Sequence, residues 1–109
     1  MAPINSIGID LGARYVRVAC LVHDRPDIVE NELGSRQTPA CLAFDGREKL
    51  FGEQAEQQAD VQPSSAIDDW KLTVGQKFAK CSAERGALAL SPLVNRNGLA
   101  CYRIEYGGE

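Results

Sequence analysis

Apolar and polar positions alternate through the start of the chain, the pattern of half-buried strands. Residues 6–11, Ser-Ile-Gly-Ile-Asp-Leu, put β-branched Ile7 and Ile9 on one face before Gly12 interrupts the run. A second strand is predicted over 15–22, where Val16, Val18, Cys20 and Val22 alternate with Arg17, Ala19 and Leu21 to make one fully apolar face. Residues 23–27 read as a polar turn, because Pro26 removes a ladder donor. A third strand is expected at 28–31, closed by the Leu33-Gly34-Ser35 turn. Thr38-Pro39 leads into a fourth at 40–44, ended by Asp45-Gly46.

From Gly52 the period changes. Residues 52–59 are rich in helix formers, and Ala55 and Ala59 share a face at i, i+4. Pro63-Ser64-Ser65 ends this helix, with Ser65 the predicted N-cap of a short one over 66–72 that stops near Gly75. Residues 79–90 carry little pattern and are expected to be a loop. Arms at 92–95 and 100–106 flank Arg96-Asn97-Gly98, and Asn-Gly is the strongest short hairpin signal. The expected fold class is mixed α/β: an antiparallel β-meander, then helices, then a β-hairpin.

Composition narrows the function classes. The chain has 109 residues, room for one domain, with 44% apolar and 25% charged residues, as in ordinary globular chains. A formal net charge of -3 argues against a nucleic-acid binder working through a broad basic surface. No apolar run approaches the roughly 18 residues that cross a bilayer, and the opening Met1-Ala2-Pro3-Ile4-Asn5 predicts no secretory leader. Cys20, Cys41, Cys81 and Cys101 form no Cys-x-x-Cys pair, and His23 is the one histidine, so free thiols are expected and a zinc centre is not. The expected compartment is the cytoplasm or nucleus. Between Asp45 and Asp69 seven acids face two bases, which reads as a solvated helical surface.

The sharpest chemical feature is Ile7-Gly8-Ile9-Asp10-Leu11-Gly12-Ala13-Arg14-Tyr15. A carboxylate ending a strand before a tight glycine turn suits phosphate and magnesium. The turn's N–H groups can point at phosphate oxygens, and the acid can hold a hydrated cation. Neither a Walker loop nor a Gly-x-Gly-x-x-Gly fingerprint is present. On spacing alone an ordinary hairpin with Asp10 and Gly12 as turn residues is favoured.

The same stretch resembles the opening of the heat-shock protein 70 (DnaK-type) chaperones. Further stretches resemble that family in the same order: residues 29–40 (Val-Glu-Asn-Glu-Leu-Gly-Ser-Arg-Gln-Thr-Pro-Ala), Leu42-Ala43-Phe44, Phe51-Gly52-Glu53-Gln54-Ala55, residues 69–78 (Asp-Trp-Lys-Leu-Thr-Val-Gly-Gln-Lys-Phe) and the hairpin ending in 104–109. The resemblance implies an actin-like ATPase (ribonuclease H-like) subdomain fragment. It assigns 1–38 to the first subdomain strands and phosphate loop, and 39–109 to an inserted small subdomain. It implies ATP/ADP and Mg2+ as cofactors, and unfolded polypeptide clients and co-chaperones as partners of a longer parent.

By similarity Asp10 sits near magnesium through water, Gly12, Ala13, Arg14 and Tyr15 form the first phosphate loop, and Lys71 takes the catalytic-lysine position. Spacing alone would instead make Lys71 a surface helix lysine lying beside Trp70, itself a packing residue. The chain departs from the family where two threonines of the loop are Ala13 and Arg14, and where the arginine after the lysine is Leu72. These departures imply slow or absent hydrolysis, and the chain alone, an incomplete segment in this reading, is expected to be inactive. The rival reading is a non-catalytic relative that docks on a co-chaperone or other assembly. A sugar kinase of the same superfamily fits less well, because the stretches past Gly12 resemble the chaperones.

Overall fold

The structure, a computed structural model, describes residues 6–106. Strands β1 (Ile7–Leu11) and β2 (Tyr15–Val22) form the expected antiparallel hairpin, in register from Ile7 opposite Cys20 to Leu11 opposite Val16. Ile7, Ile9 and Leu11 therefore share one face with Val16, Val18 and Cys20. That face stays open, with Ile9 61% exposed.

The next turn lies earlier than expected. His23 and Asp24 both take left-handed angles, φ 51° and 61°, making a two-residue mirror turn that matches strand twist. Strand β3 (Arg25–Ile28) follows at once and pairs with β2, so the third strand occupies 25–28 and not 28–31. Pro26 sits inside the ladder opposite Leu21, and it is tolerated because β3 is an edge strand.

The expected fourth strand is two strands in two sheets. β4 (Thr38–Pro39) pairs with Tyr15 and Val16 of β2, completing the first sheet. β5 (Leu42–Asp45) lies at the centre of a second sheet, between β6 (Glu48–Phe51) and β7 (Ala66–Ile67). The bend between them comes at Ala40 and Cys41, both buried. Helix α1 (Glu53–Val61) closes over this sheet, with Gly52 at φ 65° starting it. The core is built of small side chains: Cys41, Ala43, Ala55 and Ala66, with Leu50, Ala59 and Leu90 packed against them. The shared face of Ala55 and Ala59 is thus the buried one.

Ser65 caps no helix. Pro63–Ser65 is a single 3-10 turn, the Ser65 hydroxyl donates to the Gln62 carbonyl at 2.8 Å, and the chain runs straight into β7. The short helix α2 spans only Trp70–Thr73, with Asp69 at its N-cap and no side-chain cap bond. The expected loop at 79–90 holds a helix, α3 (Phe78–Arg85), whose Cys81 is buried. α3 packs on the C-terminal hairpin of β8 (Leu93–Arg96) and β9 (Leu99–Tyr102). That hairpin turns at Asn97 and Gly98, φ 55° and 85°, as Asn-Gly predicts, though its second arm stops at Tyr102 and not 106.

All four cysteines are free thiols. Burial, then the charges of Asp68 and Glu56, pushes the Cys41 thiol from 9.0 up to about 11. Two units of pKa correspond to about a hundredfold less thiolate at pH 8. Alkylation followed by peptide mass spectrometry at pH 8 is therefore expected to label half-buried Cys20 and Cys101 well before Cys41. Equal rates would show that this core opens freely.

Candidate phosphate-binding turn and its surroundings

The turn between β1 and β2 is held by the amide of Gly12 donating to the carbonyl of Tyr15 at 2.9 Å. Glycine is required there by close approach, since a Cβ at position 12 would lie 2.7 Å from the Tyr15 carbonyl oxygen. The base of the turn is tied to the second unit, because the Ala40 amide donates to the Arg14 carbonyl at 2.7 Å. The amides of Ala13 and Arg14 donate to no other protein group among the described residues. Two adjacent free donors at the tip are what an anionic oxygen needs.

Asp10 lies on the other face of the β1–β2 hairpin from Ile9. It is directly opposite Arg17, whose Nη1 donates to Oδ2 at 3.1 Å while Nη2 donates to Gln37 Oε1 at 2.8 Å. Both partners are largely solvent-exposed, so this pair adds little stability. It does fix the direction of the carboxylate.

Lys71 arrives from α2. Its Nζ donates to the backbone carbonyl of Leu11, sixty residues earlier and between Asp10 and Gly12. The sequence places Lys71 far from the turn, and the fold brings its ammonium to the turn's first residue. Trp70 is half-buried and donates Nε1 to the Ala40 carbonyl at 3.1 Å, which makes it the packing residue expected.

The six residues do not share one cavity. Ala13, Arg14 and Tyr15 line a hollow of about 560 Å³ that continues to Leu72 and Asp68. Lys71 lines a separate one of about 260 Å³ with Gln76 and Glu84, and Asp10 a third of about 350 Å³ with Arg17 and Ile28. The largest hollow is anionic: Glu56, Asp60, Asp68 and Asp69 face Arg14 and Arg85 across it, and Arg85 is already paired with Asp69. Phosphate oxygens would be repelled from its α1 side. Among the described residues no group of three or more His, Cys, Asp or Glu side chains could cage a metal directly. Asp10 is an accessible carboxylate whose Oδ2 is taken by Arg17, which leaves Oδ1 to accept from a water of a hydrated cation.

Sequence reasoning missed the group that holds α2 in place. Asp69 is 6% exposed, not part of a solvated acidic face. Arg85 Nε donates to its Oδ2 at 3.1 Å, and the Tyr102 hydroxyl donates to its Oδ1 at 2.5 Å and lies 2.7 Å from Thr73 Oγ1. Burial, and then the bond to Asp69, raises the Tyr102 phenol above its ordinary value. A carboxylate four residues from the end of α2 thus joins three elements, and nothing local in Asp68-Asp69 distinguishes it from a surface acid.

Comparison with known proteins places the chain in a family. A family model described as Hsp70 protein matches residues 6–109. A heat shock 70 kDa protein of Neurospora crassa is 33% identical over the whole chain, which covers 17% of that protein. Heat shock cognate 70 kDa protein 3 of Dictyostelium discoideum is 40% identical over 70% of the chain and 12% of its own length. A mitochondrial heat shock 70 kDa protein of Trypanosoma cruzi is 44% identical over 66% of the chain and 11% of its own. The chain therefore spans about a sixth of the first of these relatives, and its mixed α/β architecture of antiparallel sheets is that of a segment of their actin-like nucleotide-binding domain. With the family model covering all but the first five residues, the chain belongs to the heat-shock protein 70 family.

Proposed function

We propose that this chain is the first nucleotide-facing part of a divergent ATP-dependent chaperone, with residues 1–38 in its first subdomain and 39–109 in the inserted small one. The change of sheet between Pro39 and Leu42 supports that division. The observation that carries the reading is the bond from Lys71 to the Leu11 carbonyl, which sets a cation beside the glycine turn.

In this reading the amides of Ala13 and Arg14 donate to phosphate oxygens at the turn. Asp10, aimed by Arg17, accepts from water around Mg2+. Lys71 stabilises negative charge developing at the terminal phosphate and orders the attacking water. ATP, when bound, supplies the anhydride whose cleavage drives client binding and release in the parent. Ala13 and Arg14 lack the family's two hydroxyls and Leu72 lacks its guanidinium, so hydrolysis is slow or absent and this chain alone is inactive. Four free thiols fit a reducing compartment, the cytoplasm or nucleus. Unfolded polypeptides and co-chaperones are the partners of the parent, not of this segment alone.

The anionic wall of the largest hollow favours a second reading, a non-catalytic relative that docks on another protein. Calorimetric titration of Mg·ATP into the chain and into Lys71→Ala separates the two. Saturable micromolar binding, weakened about tenfold or more in the variant, is expected from the nucleotide reading. No heat at millimolar nucleotide would remove that reading for this chain and leave the docking module.

A further inference from the structure

A second surface shares no lining residue with the glycine turn's hollow: Thr38 of β4 lines it, and Pro39 lines the hollow. A groove of about 380 Å³ runs between the loop carrying Leu33 and the end of β6 carrying Phe51. Leu33 is 64% exposed and Phe51 62% exposed. The two large apolar side chains stand in water on either side of one groove, where a single apolar side chain of a partner could cover both.

The loop presenting Leu33 is rigid. Asn31 Oδ1 accepts from the amides of Leu33 and Ser35 at 2.9 and 3.0 Å. Its Nδ2 donates to Thr38 Oγ1 at 3.0 Å and to Glu53 Oε1 at 2.9 Å. The amide of Asn31 also donates to the Ser35 carbonyl at 2.8 Å, and Gly34, at φ 80°, closes the turn onto the Asn31 carbonyl at 2.9 Å. One asparagine thus locks the loop to β4 and to the first turn of α1. A leucine displayed on so constrained a loop loses little further freedom on binding, which is what makes such a residue an effective anchor.

The rim of the groove states the charge of its occupant. Glu30, Glu32 and Glu53 face Lys49 alone, and the Lys49 ammonium is drawn toward the Tyr106 ring, 5.5 Å from its centroid. Carboxylates flanking two exposed apolar side chains complement a chain in which bulky apolar side chains alternate with lysine or arginine. A second copy of this chain would bring the same carboxylates against these, and like charges oppose that pairing.

We propose that the Leu33–Phe51 groove is a docking site for a basic, apolar peptide segment of another protein, the apolar side chain seated between Leu33 and Phe51 and the cations on the glutamate rim. The proposal does not depend on nucleotide binding at the turn.

Fluorescence anisotropy with the full chain and a labelled short peptide of alternating lysine and leucine tests it. Counterparts carry glutamate for lysine or serine for leucine. Saturable binding of the first peptide alone is expected, weakening as salt is raised. Leu33→Ser, a change at an exposed position, is expected to weaken it about tenfold with an unchanged circular dichroism spectrum. Glu30→Lys with Glu32→Lys should weaken it at least as much and flatten the salt dependence, while Glu84→Lys on α3 leaves it within about twofold. Equal binding of the acidic peptide, no saturation at millimolar chain, or indifference to Leu33→Ser would overturn the proposal. So would a concentration-dependent dimer, seen by sedimentation, that Leu33→Ser abolishes.

Discussion

Asp69→Ala is expected to lower the melting temperature by on the order of 12 °C or more. Removing the carboxylate takes its acceptor from the Arg85 guanidinium and leaves the Tyr102 hydroxyl only Thr73 Oγ1 as a partner. Breaking a buried pair in this way costs about 3–5 kcal/mol, and each kcal/mol shifts a domain of this size by about 4–8 °C. A chain of 109 residues has roughly 5–15 kcal/mol in all. This one sits toward the low end, because its core is chiefly alanine and cysteine. Asp69→Asn keeps an acceptor for Tyr102 and is expected to fall between wild type and Asp69→Ala. Thermal melts followed by circular dichroism decide the matter. A shift of less than about 4 °C in Asp69→Ala would mean that water replaces the carboxylate and that the three elements are not joined through it. Tyr102→Phe in both backgrounds gives the coupling, which should be clearly non-additive because both changes remove one shared bond.

The contrast between Asp69 and its neighbours explains how much of the fold could be read from the chain. Elements specified by local rules came out where expected: β1 and β2 from strict alternation, α1 from its alanine face, the β8–β9 turn from Asn97-Gly98. Elements specified by distant partners did not. β6 is an edge strand whose Glu48 and Lys49 are exposed, so it carries no alternation to read. α3 buries Cys81 fully and little else, too narrow a stripe for the helical period to register. The split of residues 38–45 between two sheets is invisible locally, because Ala40 and Cys41, where the chain passes from one sheet to the other, carry no turn signal. His23 and Asp24 form a turn without glycine, and the proline after them drew the boundary too late.

The site divides along the same line. Asp10 and Gly12 stand out in the local pattern and Lys71 by resemblance alone, and the fold does bring the lysine to the residue between the other two. What surrounds them is long-range and was not legible. The anionic hollow beside Ala13 and Arg14 is assembled from α1, residues 68–69 and α3. The sequence shows Ala13 and Arg14 in the loop; only the fold shows that Glu56, Asp60, Asp68 and Asp69 line the same hollow.

Gly12→Ala tests whether the turn itself is the functional element. The added Cβ would stand 2.7 Å from the carbonyl oxygen of Tyr15, a backbone atom that accepts the bond closing the turn and so cannot swing aside. The turn must open, which costs about 1–3 kcal/mol and lowers the melting temperature by roughly 5–15 °C. Opening it moves Ala13 and Arg14, and with Arg14 the acceptor of the Ala40 amide, so the contact between the two sheets loosens as well. Leu11, the acceptor for Lys71, immediately precedes the substituted residue and shifts with it. Amide exchange should rise at Gly12 and Ala40 but not in β8–β9, whose bonds are independent of this turn. Under the nucleotide reading, affinity for Mg·ATP should fall about tenfold or more, since the free amides of Ala13 and Arg14 and the lysine are displaced together. If instead the melt and the exchange pattern are unchanged, the close approach at Gly12 is relieved by ordinary backbone adjustment. The glycine would then be a turn residue without a role in presenting the amides of Ala13 and Arg14.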